Sequence, residues 1–599
     1  MNLSLLDWTV IAAYFLFNLG IGLYYARRAS GSTSEFFLSG RNVPWWLAGT
    51  SMVATTFAAD TPLAVTGFVA RNGIAGNWLW WNFVMSGMLT VFLYARLWRR
   101  AGVMTDIEFA ELRYSGKPAA FLRGFRALYL GLPINCIILG WVNLAMVKIL
   151  EITLGVNKRG AIMIVIGMLL FTAFYTAISG LWGVLVTDLF QFALKMGMVI
   201  VLAILAVNAV GGIDSMKAQI TAMDAGSGSR LAFFPDFDSA WMPAITLFVY
   251  LGVIWWSTWY PGAEPGGGGY VAQRIFSAKN ERHGLLATLW FNVAHYALRP
   301  WPWILTALAS LILYPTLADK ESGYIVTLMD PNVFPTYLRG FMLAAFAAAY
   351  MSTIGTQLNW GASYVINDFY RRFIQREASE KHYVVASQVV TVLLMFVSLV
   401  VTFYMESIGG AWKLLLVTGA GTGTVLLLRW YWWRINAWSE VSAMITAAVV
   451  SIFLQLVLRW NSDQPRDFAY LMLVTVGTTS LVWIVVTILT SPEPMEKLIA
   501  FYRRVRPEGP GWNDIAARAD LAESHAQGRL SLQFANSILG CALIYGSLFG
   551  IGKLIFKEWM AAALYLFVAI VAGVLISRNL SRGETTAEAL RLEHAEESV

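Results

Sequence analysis

The sequence predicts an all-α polytopic membrane protein, and three observations carry that expectation. The 599 residues are 58% hydrophobic and only 13% charged, with a mean hydropathy of +0.60. A soluble chain carries about a quarter charged residues to keep its surface wet. The charges gather between long apolar runs, and a run of about 18 or more residues lets a helix cross roughly 30 Å of hydrocarbon. These runs lack the alternation of barrel strands, and only helices or closed barrels satisfy the backbone in lipid.

About fifteen spans are expected by length and composition. They begin near Asp7, Trp45, Gly76, Phe121, Gly160, Leu181, Trp241, Gly284, Phe334, Lys381, Ser407, Ala437, Phe468, Ala535 and Glu558. One alternate set of loops carries Arg27 and Arg28, then Arg96, Arg99, Arg100 and Arg113, then Arg274, Lys279 and Arg282, and later Arg371, Arg372, Arg376, Arg429 and Arg434. The opposite set, including 211–229 and 319–332, is poorer in basic charge, although Lys158 and Arg159 fall on it. The excess of basic residues in cytoplasmic loops then predicts the N-terminus outside and the C-terminus inside. The first run ends in YYARR without a small-residue cleavage site and reads as a retained span.

Several function classes are set aside by the same reading. The net charge of +7 is spread along span ends rather than in one stripe, so no nucleic-acid partner is expected. Cys136 and Cys541 lie inside apolar runs and form no metal or disulfide motif. The loop 491–534 and the charged tail after Arg578 are too short and polar to build a separate core, which argues against a fused kinase or cyclase.

Three spans are interrupted. The second, WWLAGTSMVATTFAADTPLAVTGFVA (45–70), places Asp60 beside Thr61 and Pro62, about 16 residues in and near mid-bilayer at 1.5 Å per residue. An ionised carboxylate there costs at least about 2.5–3.5 kcal/mol, so it should face a cavity, a cation or a partner helix. Pro62 removes a helical hydrogen bond and frees nearby carbonyls, which suit a hard cation such as sodium. A kinked helix whose Asp60 pairs with a neighbour is the alternative. In the stretch 341–370, small residues recur at helical spacing and Ser352 and Thr353 offer adjacent hydroxyls. Such hydroxyls also bond their own helix.

The eighth span contains Arg299 about 15 residues in, or about 22 Å deep, with His295 one turn earlier on the same face and Pro300 and Pro302 beside it. A guanidinium buried at that depth suits a carboxylate, either a solute's or that of Asp60. The stretch WWSTWYPGAEPGGGGYVAQR (255–274) has four consecutive glycines, but no Lys-Ser/Thr follows as a phosphate loop requires. Its aromatic residues Trp255, Trp256, Trp259 and Tyr260 are either an interfacial belt or a gate stacked on a solute.

These segments, in order, resemble the sodium/solute symporter family. EFFLSGRNVPWW (35–46) looks like the loop after the family's first helix, and the break at AADTP like its first core helix. EFAELRYSG (108–116) looks like its amphipathic inner segment. YTAISGLWGVLVTDLFQF (175–192) is similar to the fifth-helix signature, with Thr187, Asp188 and Gln191 in place. AAYMSTIGTQLNWGASYVINDFYRRF (348–373) is similar to the eighth core helix.

The resemblance implies a five-plus-five inverted repeat of the leucine-transporter type. Residues 1–44 would form an extra helix and inner loop, 45–210 the first repeat, 211–240 an outer loop and 241–434 the second repeat. Two extra helices (435–490), a cytoplasmic loop (491–534), two more helices (535–578) and a cytoplasmic tail (579–599) would follow. It further implies sodium held by the carbonyls of Ala58, Thr61 and Ala349 and the hydroxyls of Ser352 and Thr353, with Asp60 serving coupling and Asp188 the inner exit path. The glutamine of the family's sugar carriers falls at Val65, and their lysine near Leu298 or Arg299, so sugar recognition of that kind is not expected. The implied activity is sodium-coupled symport of a small organic solute by alternating access in a plasma membrane (the inner membrane of a bacterium), not an enzymatic one. Arg299, His295, Trp259 and Tyr260 would contact the solute. Proton coupling through Asp60, or a solute sensor that kept the fold, are the alternatives.

Overall fold

The computed structural model describes residues 3–224, 229–236, 239–258, 265–405, 415–417, 419–521 and 530–596, with side chains described through residue 581. Among the described residues the regular structure is helical, apart from one isolated bridge between Val43 and Ala278. Ten of these helices are long and apolar enough to cross a membrane, or eleven if a bent pair counts as one span. Large apolar side chains such as Leu16, Tyr404, Leu489 and Met560 stand exposed on the periphery, as a lipid-facing surface requires.

Helix α1 (Leu5–Ala29) is closed at its start by Ser4 and Asp7, which cap each other's backbone, and ends in Arg27 and Arg28. This order of charge complements the helix dipole. The Asp7 carboxylate also accepts the Gly340 N–H at 2.7 Å. A side chain at residue 340 would meet the Asp7 backbone at 2.5 Å, so glycine lets the two helices touch.

The interrupted second span becomes α2 (Trp45–Thr56) and α3 (Thr61–Asn72), bent by 59°. Phe57 leaves the helix at φ −89°, ψ 64°, and Pro62 in the first turn of α3 has no N–H to carry the ladder back across the gap. Helix α4 (Lys158–Ala209) covers 52 residues as two helical segments on either side of Gly180. It is broken at Gly180, whose φ of +55° and whose approach to the Phe36 carbonyl leave no room for a side chain.

Helices α5 (Glu281–Asn292) and α6 (Pro300–Leu313) are joined by a wide turn over Val293–Leu298. There the Arg299 N–H reaches back five residues to the Ala294 carbonyl at 3.1 Å. Pro300 and Pro302 donate nothing, which is why the regular ladder fails at this joint. Helix α7 (Arg339–Ser363) is buried over nearly its whole length. Its run of alanines and Gly355 allows close packing on α4, with Thr176 and Tyr175 just beyond the glycine.

Helix α8 (Ala437–Leu456) carries Glu440 in its first turn, buried among Arg126, Arg429 and Tyr114. In the loop 491–534, the segment Met495–Val505 is an amphipathic helix that buries Leu498, Phe501, Tyr502 and Val505. Helix α9 (Trp559–Glu596) continues through the tail expected from residue 579.

Candidate functional site

The break between α2 and α3 opens onto a cavity of about 210 Å³. Its lining includes Thr55, Thr56, Ala58, Asp60 and Thr61 from the break. His295, Tyr296 and Arg299 come from the α5–α6 joint, Thr353 from α7, and Trp80 from the segment after α3. Two irregular helix regions therefore face each other across one space, and each irregularity has a proline at its edge.

The guanidinium of Arg299 is buried and donates to the Thr56 hydroxyl at 3.0 Å and, at 3.5 Å, to the Val53 carbonyl. A second arm lies 3.3 Å from His295 Nε2, while His295 Nδ1 meets the same Thr56 hydroxyl at 2.9 Å. The ring of Trp303 lies 4.9 Å beneath it. Thus Arg299 and His295 act as a unit, fixed by Thr56. Thr56 carried no signal in the sequence beyond standing next to the break.

Asp60 is buried, and its Oδ1 has no hydrogen-bond partner among the described residues. No cationic group stands within 4.0 Å of its carboxylate there, so it is not paired with Arg299. The cavity is bordered by the Arg299 guanidinium and the Asp60 carboxylate, which make no ion pair within 4.0 Å.

A second set of polar groups lies between the end of α2, α4 and α7. The Asp188 carboxylate accepts the hydroxyls of Ser51 and Ser352, each at 2.5 Å. Arg274 reaches Ser51 at 3.2 Å and Thr356 at 2.8 Å. Thr353 donates to the Thr55 carbonyl at 2.8 Å and back to the Ala349 carbonyl at 3.2 Å. Ser352 and Thr353 are thus adjacent as expected, but they face different partners. The Ala58 carbonyl accepts the Thr61 N–H at 3.3 Å, and both residues line the cavity.

The carbonyls that meet a cation lie one turn earlier, at Ala54 and Phe57. They accept the Lys195 ammonium at 2.8 and 3.3 Å. Lys195 escaped the reading of the sequence. The signal was a single lysine inside the apolar run LFQFALKMGMVIVLAIL, the same depth argument that singled out Arg299. Trp259 and Tyr260 lie outside the described residues.

A model of the sodium:solute symporter family matches residues 36–447. The chain belongs to the sodium:solute symporter family. It is 24% identical over 481 residues to a sodium/glucose cotransporter of Vibrio parahaemolyticus, covering 76% of this chain and 86% of that one. It is 26% identical over 471 residues to sodium/glucose cotransporter 1 of Oryctolagus cuniculus, covering 72% and 69%. Its fold is similar to that of a substrate-bound, outward-open sodium-coupled sialic acid symporter, with a TM-score of 0.67 at 18% identity, covering 82% of this chain and 99% of the other. These relatives are membrane transporters, not enzymes. The family places this chain among multi-pass membrane transport proteins.

Proposed function

We propose that the protein is a secondary active transporter that carries a small organic solute through the cavity at the helix break, in symport with sodium and by alternating access. The observation that carries this reading is the cavity itself, where one broken helix and one wide helical turn present charged side chains and irregular backbone to the same space. Backbone of that kind is tolerated at membrane depth only where it lines a cavity or is buried in protein. Family membership supports sodium as the coupling ion. The driving force is adequate, since one charge moving inward gains about 2.3 kcal/mol per 100 mV.

Ion handling is assigned to the zone between the break and α7, with Ala58, Thr61, Ala349, Ser352 and Thr353 around it and Asp60 and Asp188 as its carboxylates. Arg299, oriented by His295 and Thr56, is assigned to a carboxylate on the solute, because a guanidinium holds a carboxylate through two parallel hydrogen bonds. Trp259 and Tyr260 are retained as candidate gate residues.

The topology we propose has five core spans in 45–210, five in 241–434, one before and four after, with the N-terminus outside and the C-terminus in the cytoplasm. It treats α4 as two spans separated at Gly180, since the backbone is non-helical there and the segment on either side is long enough to cross the hydrocarbon. The loop 491–534 and the tail 579–599 are then cytoplasmic, and the plasma membrane is the site of action.

The experiment is uptake of a panel of radiolabelled small solutes into proteoliposomes holding the purified protein. Accumulation of a carboxylate-bearing solute is expected only with an inward sodium gradient. No accumulation of any solute, or equal accumulation without the gradient, overturns the reading.

A further inference from the structure

Lys195 is the one charged residue in the sequence between Asp188 and Asp214. It stands 15 residues beyond the Gly180 break and 14 before the end of α4, about 22 Å from either limit at 1.5 Å per residue. The side chain is buried, too deep to snorkel to an interface. Among the described residues no carboxylate lies within 4.0 Å of its ammonium. The charged groups around it are Asp188, two turns away on α4, and Arg299, which faces Phe57 from the α5–α6 joint. Helix α2 contributes no ionisable side chain at all.

What receives the ammonium is backbone. Its hydrogens point to the carbonyls of Ala54 at 2.8 Å and Phe57 at 3.3 Å, and the Phe57 ring lies 5.2 Å away. These carbonyls stand where α2 ends, at the negative end of its dipole; that of Ala54 also accepts the Phe57 N–H at 3.1 Å, and the bend to α3 takes the following N–H groups away from both. Buried carbonyl oxygens at a helix C-terminus, with no carboxylate within 4.0 Å among the described residues, make a position for a single positive charge. In this chain that charge is covalently attached.

We infer that the carbonyls of Ala54 and Phe57 form a latent monovalent-cation site, and that the Lys195 ammonium fills it as a tethered ion and excludes sodium. Two like charges within a few ångströms in a poorly screened interior repel strongly, so ammonium and sodium cannot share those oxygens. This inference rests on the symport reading and sharpens it. One cation of the assembly around the break is permanent and does not move with the solute, so the wild-type protein exchanges one sodium ion fewer than the oxygens of the break could hold.

The test is equilibrium binding of radioactive sodium to the purified full-length protein, with thermal denaturation in sodium, potassium and N-methylglucamine chloride at equal ionic strength. Lys195→Met, which keeps an unbranched stem without the charge, is expected to bind one more sodium per chain than the wild type. It should also gain a sodium-specific rise in melting temperature that saturates with concentration. Lys195→Arg keeps a tethered cation and is expected to retain the wild-type count. If Lys195→Met does not fold, Lys195→Leu serves, since it too removes the charge and every donor to these carbonyls. A neutral variant that folds yet binds no more sodium than the wild type, or whose sodium-specific rise in melting temperature is no larger than the wild type's, overturns the inference and leaves Lys195 as a structural cap on α2. Failure of the symport reading shows separately, as absent solute accumulation by the wild type.

Discussion

Two buried regions of this molecule handle charge in opposite ways. Towards the segments rich in basic residues, the carboxylates of Glu440, Asp368 and Glu111 meet guanidinium groups. Glu440 accepts Arg126 and Arg429 at 3.1–3.2 Å and the Tyr114 hydroxyl at 2.6 Å. Asp368 accepts Arg123 and Thr105, and Glu111 accepts Arg123 and Arg372. Burial pushes the Glu111 carboxyl up, but the Arg372 and Arg123 guanidiniums more than offset this and hold it below the usual carboxylate range. At the helix break, by contrast, Asp60, Arg299 and Lys195 have no ion pair within 4.0 Å among the described residues. Their contacts are hydroxyls, a ring nitrogen and backbone carbonyls. The comparison teaches that paired charge fixes helices against one another, whereas charge left without its opposite is what a moving ion or solute can act on.

The largest expected effect comes from breaking the paired region. Glu440→Gln leaves two guanidiniums buried without their carboxylate, and removal of one partner from such a group costs about 3–5 kcal/mol. Thermal denaturation in detergent should show a large fall in melting temperature. The triple replacement Arg126→Met/Arg429→Met/Glu440→Met should recover most of it, because no uncompensated charge remains. A small effect of Glu440→Gln would mean that this cluster is wet or loosely packed, and the contrast with the break would weaken.

The opposite sign is expected at the break. Asp60→Asn removes a buried charge that has no cationic partner within 4.0 Å, so stability should rise by about 2.5–3.5 kcal/mol, the scale on which a charge at mid-membrane is penalised. Transport should fall sharply in the same variant. In double-replacement cycles, the coupling between residues 60 and 299 should be smaller than that between 440 and 429. Destabilisation by Asp60→Asn would show that Asp60 and Arg299 do pair, and the two regions would then follow one rule.

What the sequence disclosed follows the same division. The break was legible because Asp60 and Pro62 offend a helix in lipid, one by charge and one by its missing N–H. Arg299 and His295 were legible by depth and helical spacing, and the structure does place them in contact. The pair Ser352 and Thr353 was recognised through the family resemblance, but their separate targets, Asp188 and the Thr55 carbonyl, depend on how three helices pack. Nothing in a single sequence reports that packing. The cation position at Ala54 and Phe57 was out of reach for another reason. Carbonyl ligands belong to the backbone, and which carbonyls are freed depends on where the chain leaves the helix, here at Phe57 rather than at the Asp60–Pro62 signal. The break within α4 shows the reverse case: the spans expected near Gly160 and Leu181 meet at Gly180, whose left-handed backbone no other residue adopts easily.

The smallest expected effect sharpens the comparison most finely. The break and α7 are joined by the Thr353 hydroxyl, which donates to the Thr55 carbonyl at 2.8 Å and, less closely, to Ala349 at 3.2 Å. A neutral hydrogen bond of this kind contributes about 1 kcal/mol net, several times less than breaking the Glu440 cluster should cost. Thr353→Val keeps the shape and the branched stem but removes the donor, so it should lower stability by about 1 kcal/mol. Thr353→Ser keeps the donor and should lie within about 0.5 kcal/mol of the wild type. If the bond only staples the helices, sodium should shift the melting temperature of Thr353→Val as much as that of the wild type. If the hydroxyl also serves the ion, as the symport reading assigns, the sodium-specific shift should disappear in Thr353→Val and persist in Thr353→Ser. The two outcomes differ in salt specificity rather than in stability, so they remain separable even though the energy at stake is small.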